Sequence, residues 1–192
     1  VENYETIKDE FADQPFTSET DTEVIAHLVA RELETDGAFD GEGDGDAAPT
    51  PAALHAALER SVDRLTGSFA VAVTAAGCDA ICVARRDSPL VLGLGEEGTF
   101  VGSDVTAFLD HAWDVVYLED GDVALLTDGE VTIHNEGEVV ERPVETVEWE
   151  AEAAEKGGYQ HYMRKEIHDQ PTALRQALAG RIDAGGTDDQ LD

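Results

Sequence analysis

Apolar residues in the first third of the chain recur at helical spacing. Tyr4, Ile7 and Phe11 fall three and four apart and predict a short helix over residues 3–11, which Pro15 stops. Thr20 and Glu23 then stand three apart just ahead of an apolar stripe of Val24, Ile25, Leu28, Val29 and Leu33. That is the spacing of a capping box, in which Thr20 accepts from the Glu23 amide and the Glu23 carboxylate reaches back, opening a helix to about Glu34. Thr50 as cap and Pro51 as first helical residue predict a third helix, with Leu54, Leu58, Val62 and Leu65 on its inner face and an end near Gly67.

From Ser68 the period changes to that of strands. SFAVAVTA, AICVARR, PLVLGLG, TFVGSD, DVVYLED, DVALLTD and EVTIHN are short β-branched runs. Turn signals at Ala76-Gly77, Gly95-Glu96-Glu97-Gly98, Asp120-Gly121 and Asp128-Gly129 divide them. The reading is a meander of antiparallel strands, interrupted by one helix over residues 104–111. Helices first and strands afterwards predict an α+β layered domain. After Trp149 the pattern breaks at Lys156-Gly157-Gly158, a linker signal, and YQHYMRKEIHDQP and TALRQALAGRID read as two helices interrupted by Pro171.

Charge alters this picture in one respect. The 192 residues carry 43 Asp and Glu against 12 Lys and Arg, a net charge of -31, yet 42% of them are hydrophobic. The periodic apolar positions require a packed core despite the charge. A surface so anionic repels phosphate backbones and anionic lipid, which argues against nucleic-acid and membrane-surface roles. The acids are spread over the whole chain and lysine is confined to Lys8, Lys156 and Lys165. Such a surface suits a halophilic cytoplasm, where salt screens the self-repulsion. The stretch TDGAFDGEGDGDAAPTP reads as an acidic insertion over residues 35–50; an EF-hand loop begun at Asp40 would need Glu where Pro51 stands.

Candidate chemistry is sparse. Cys78 and Cys82 lie four apart with no neighbouring histidine, a spacing that reads as buried free thiols in a reducing cytoplasm rather than a metal site or disulfide. His27, His55, His111, His134, His161 and His168 show no metal-binding spacing, and no phosphate-binding loop or serine elbow is present. GLGEEG lies between two strands and reads as a hairpin turn. No metal or cofactor is expected. Asp21 is read at the first helical position, either as an acid favoured by the helix dipole or as a carboxylate held ready for a ligand amine.

Five stretches carry a resemblance: SETDTEVIAHLV (18–29), RRDSPLVLGLG (85–95), FVGSD (100–104), LEDGDVA (118–124) and KGGYQHYMRKEIHDQP (156–171). In this order they resemble the glutamine:fructose-6-phosphate aminotransferases, the isomerising glucosamine-6-phosphate synthases. The resemblance implies an N-terminal-nucleophile hydrolase fold, an αββα four-layer sandwich that is incomplete here, joined to the start of a sugar isomerase domain. It divides the chain into residues 1–150 of a class II glutamine amidotransferase domain, a linker at 151–158, and residues 159–192 as linker helix and beginning of the isomerase domain. The activity implied converts fructose 6-phosphate and glutamine into glucosamine 6-phosphate and glutamate for amino-sugar synthesis, in an enzyme expected to be a homodimer. Its nucleophile would be a cysteine upstream of Val1, so the chain alone is expected to be inactive. The aspartate of the family's T-D-T-E motif, which binds the α-ammonium of glutamine, matches Asp21. Alternatives are another class II amidotransferase, such as the purine-pathway amidophosphoribosyltransferase, from which HYMRKEI followed by QP departs, or a non-catalytic binding protein derived from one.

Overall fold

The predicted apolar stripes form three helices: α1 (Tyr4–Asp9), α2 (Glu23–Thr35) and α3 (Pro51–Val62). Thr50 caps α3 as expected, its side chain accepting from the Ala53 amide at 3.2 Å. α3 ends at Val62 rather than near Gly67, although Leu65 is still buried beneath it. The computed structural model describes residues 1–37, 48–147, 161, 163–165, 167, 168, 170 and 171. The chain divides into two compact units, Val1–Val147 and Glu148–Asp192. In the second unit the described residues of 163–171 are helical through Pro171. Most of the acidic insertion, the linker at 151–158 and the helix expected after Pro171 lie outside the described residues. No helix of the described residues is long and apolar enough to cross a membrane.

Nine strands follow the helices in the first unit: β1 (Phe69–Val73), β2 (Ile81–Arg86), β3 (Val91–Gly95), β4 (Gly98–Gly102), β5 (Asp114–Tyr117), β6 (Asp122–Thr127), β7 (Glu130–Asn135), β8 (Glu138–Val140) and β9 (Glu145–Thr146). Every strand pairing is antiparallel, but the strands do not form the single meander that the sequence suggested. They form two sheets, ordered β1-β2-β6-β7-β8 and β4-β3-β5-β9. The chain leaves the first sheet after β2, builds three strands of the second, and returns at β6 beside β2. The physical reason lies in the side chains. In β2, Cys82 and Ala84 face the helices while Val83 faces the second sheet, and in β6 Val123 faces the helices while Ala124 and Leu126 face the second sheet. Strands apolar on both faces need cover on both faces.

The layers are therefore helices, first sheet, second sheet, and a short capping segment on the outer face of the second sheet. That segment is not the helix expected over 104–111. Only Val105–Ala107 form a 3-10 turn, started by Asp104, whose side chain accepts from the Thr106 amide at 2.9 Å. Phe108 leaves helical geometry so that its ring can lie on the sheet beside Val91 and Val115. Gly93 makes that contact possible, since a Cβ there would stand 2.5 Å from the Phe108 ring.

Asp122, the first residue of β6, is wholly buried. Arg142 donates to it twice, at 2.9 and 2.8 Å, Asn135 Nδ2 donates at 2.7 Å, and the Glu119 amide at 2.7 Å. Burial alone would raise the Asp122 carboxyl, but the Arg142 and Asn135 donors and the Glu119 amide outweigh it and hold it below its ordinary range. The pair ties the segment after β8 to the start of β6. Arg142→Met is expected to cost about 3–5 kcal/mol of stability by stranding a buried carboxylate, and the double change to Arg142→Met with Asp122→Leu to recover most of it. Urea unfolding at one fixed molar salt concentration measures both; a cost under about 1 kcal/mol for Arg142→Met would place the pair among ordinary surface ion pairs.

Candidate functional site

The acidic stretch ahead of α2 is organised by Glu23, though not as a capping box. Its carboxylate accepts from the Thr17 amide (2.7 Å) and hydroxyl (3.0 Å) and from the Ser18 amide (2.7 Å) and hydroxyl (2.7 Å). Thr20 offers it no side-chain bond; the Thr20 carbonyl takes the Glu23 amide at 3.4 Å and the Thr20 hydroxyl meets Ser18 Oγ at 2.8 Å. Four donors at Thr17 and Ser18 outcompete the single amide that the capping box would have supplied. The residue at the N-cap position is Thr22, which makes no side-chain cap bond. These contacts depress the Glu23 carboxyl to about 2, the Thr17 amide being the largest cause and the Ser18 hydroxyl the next.

This tie places Asp21 in the turn two residues before α2, not at the first helical position that the spacing suggested. Its side chain is 45% exposed, and the α-ammonium of Val1 donates to Oδ2. That ammonium holds the Asp21 carboxyl below its ordinary range, helped by the backbone N–H groups of Asp21 and Thr22. Asp21 is therefore a half-exposed carboxylate, ionised across the neutral range.

The segment opposite Asp21 is set by contacts the sequence did not signal. Asn3 donates from Nδ2 to the Arg64 carbonyl at 2.8 Å and accepts the Thr66 amide at 2.9 Å, while the Glu2 amide donates to the Thr66 carbonyl at 2.9 Å. Gly67 is required there: its φ is +88°, and a Cβ would meet Glu2 Cγ at 2.7 Å. Positive φ at a glycine after a helix was the one available hint, and it reads locally as a helix end rather than as a docking point.

The other candidate groups are structural. His27 lies against Phe16 and Phe11, with ring centroids at 4.3 and 5.5 Å, and its Nδ1 meets Gln14 Oε1 at 2.7 Å. Cys82 is buried and its thiol is pushed up to about 12 by burial; Cys78 is raised for the same reason. Neither is a ready thiolate. Among the described residues no group of three or more His, Cys, Asp or Glu is placed to hold a metal ion. The concavities beside Trp113 and beside Arg85 do not include Asp21.

Comparison with known proteins gives this arrangement a context. The chain is 51% identical to the glutamine–fructose-6-phosphate aminotransferase (isomerizing) of Halobacterium salinarum over 100% of its own length and 30% of that protein. It is 44% identical to the protein of the same name from Thermotoga maritima, over 95% of this chain and 28% of the relative, and 41% identical to that of Thermococcus kodakarensis, over 94% and 28%. The chain thus spans about three tenths of the length of the curated relatives it matches. A solved structure described as the allosteric regulatory enzyme of purine biosynthesis shares the fold, with a TM-score of 0.50 and 22% identity over 69% of this chain and 26% of that one. No protein-family model matches the chain.

The Glu23 contacts have a pH signature. Because its carboxyl lies near 2 in the folded chain against an ordinary 4.5, the stabilisation is complete above the ordinary range and is lost as pH falls from about 4.5 toward 2. Glu23→Gln is expected to remove that portion of the acid dependence and to lower the melting temperature at pH 6. Melts of both proteins between pH 2 and 6 check this, and superimposable profiles would show that the Thr17–Ser18 contacts contribute nothing.

Proposed function

We propose that this chain is the larger part of the glutamine-hydrolysing domain of a glutamine–fructose-6-phosphate aminotransferase, and that Asp21 is the carboxylate that receives the α-ammonium of glutamine. Similarity over the whole chain to relatives of that name supports the first half. What supports the second is the match of Asp21 to the aspartate of the T-D-T-E motif, together with its place, half-exposed, in the turn that Glu23 ties down.

In this reading the two faced sheets and their helical layer are the core of an αββα N-terminal-nucleophile hydrolase. A cysteine preceding Val1 attacks the side-chain amide of glutamine and forms a thioester, and the ammonia released passes to fructose 6-phosphate in an isomerase domain whose beginning is residues 159–192. Asp21 takes no proton in the reaction. It anchors one end of the substrate by a charge-assisted bond, so that the amide at the other end meets the nucleophile in one orientation. Residues 151–158 are the linker between the domains, the whole enzyme is a homodimer, and its location is cytoplasmic. The relative from Halobacterium supports a halophilic reading of the acidic surface.

In the enzyme carrying its upstream segment, Asp21→Ala is expected to raise the KM for glutamine about thirtyfold or more, a loss of roughly 2–4 kcal/mol. Isomerisation of fructose 6-phosphate without glutamine is expected to be unchanged. The 192-residue chain alone is expected to release no glutamate above background, since neither of its thiols is activated. Steady-state kinetics with glutamine decide the matter: an unchanged KM in Asp21→Ala removes the substrate role, and glutamate release by the chain alone removes the upstream nucleophile.

A further inference from the structure

His55 and His134 meet between the helical layer and the first sheet. His55 lies on the inner face of α3 and is 6% exposed. His134 lies on β7 opposite Val123 of β6, on the sheet face away from Ile133, which packs toward the second sheet. Their ring centroids are 4.3 Å apart with the planes tilted by 47°. His55 Nε2 stands 3.4 Å from the Val123 carbonyl oxygen, and His134 Nδ1 is buried with no hydrogen-bond partner among the described residues. The sequence offered both as unremarkable histidines, one at a helix position and one in a strand 79 places on in the numbering.

A charge on His55 would be buried at this contact, beside a ring whose Nδ1 is itself buried without a partner among the described residues. Burial is the largest influence on His55 and depresses it; the His134 ring adds to this, while the Val123 carbonyl and Glu59, one turn along α3, act in the opposite sense. Two arginines near this interface are engaged elsewhere. Arg86 of β2 donates to the carbonyls of Leu65 and Val62 at the far end of α3, and Arg60 of α3 pairs with Glu32 and Asp36 beside α2. The Cys82 thiol of β2 is un-ionised at neutral pH.

We propose that the His55–His134 contact is an acid-sensitive latch between α3 and the first sheet, closed while His55 is neutral and opened when it gains a proton. The sign follows from linkage. A histidine held neutral in the fold takes up its proton on unfolding, so stability is full above the ordinary histidine range near 6.5 and falls as pH drops below it. Opening is not confined to α3, because α2 packs on α3 and carries the turn that holds Asp21.

Unfolding of the full 192-residue chain at fixed molar KCl, measured from pH 7.5 to 5, tests the latch. The unfolding constant of the natural chain is expected to rise by up to tenfold per pH unit below the histidine range in excess of His55→Leu, in which the carboxylates and the other five histidines are retained. His134→Phe, which keeps a ring against His55, is expected to reduce the excess without abolishing it. Should a variant fail to fold, the C2 proton of His55 followed by NMR in the natural chain serves alone. A midpoint clearly below the ordinary 6.5 sustains the latch; a midpoint at or above it, or equal pH slopes for the natural chain and His55→Leu, overturns it.

Discussion

Two inner strands of the first sheet, β2 and β6, are buried on both faces, and the positions of the other layers follow from that constraint. The sheet's helix-facing side takes Cys82, Ala84 and Val123 against Leu54, Leu58 and Leu28. Its other side takes Val83, Ala124 and Leu126 against Leu92, Val116 and Leu118 of the second sheet. At about 25 cal/mol per Å² of apolar surface, the two interfaces together are the main source of stability in a chain whose surface charge opposes compaction. Helix α3 lies directly on this sheet and α2 lies on α3, so the loop that presents Asp21 is held at one remove from the sheet.

Within that frame the site is a matter of local donors and acceptors. Glu23 satisfies four donors of Thr17 and Ser18, and the turn so formed leaves Asp21 facing outward with two backbone N–H groups behind its carboxylate. Asn3 and Gly67 dock residues 2 and 3 onto the loop after α3. A carboxylate that is ionised and half-exposed suits recognition of an ammonium group better than proton transfer.

What the sequence disclosed follows the range of the interactions involved. The stripes of α2 and α3 and the Thr50-Pro51 start are local, and they were legible. The two-sheet order was not, because β2 pairs with β6 some forty residues on, and runs such as ICVARR and VLGLG are apolar on both faces and so do not say which partner each face meets. The Thr20-Glu23 spacing fitted a capping box, yet Glu23 found stronger donors five and six residues upstream. β8 and β9 are short and largely exposed, with no apolar run to announce them. Asp122 reads as a turn acid in LEDGD; its burial depends on Arg142, twenty positions away. Asp21 was singled out by resemblance alone, and its place in the turn became intelligible only with the contacts of Glu23.

The account stands on Asp21 recognising an α-ammonium rather than merely starting a helix. In the protein continued upstream of Val1, the affinities of L-glutamine and of its analogue lacking the α-amine, 4-carbamoylbutanoate, can be compared for the natural residue and for Asp21→Asn. The account predicts that the natural protein prefers L-glutamine by about thirtyfold or more and that Asp21→Asn loses that preference while binding the analogue as before. A preference for L-glutamine that survives in Asp21→Asn would contradict it.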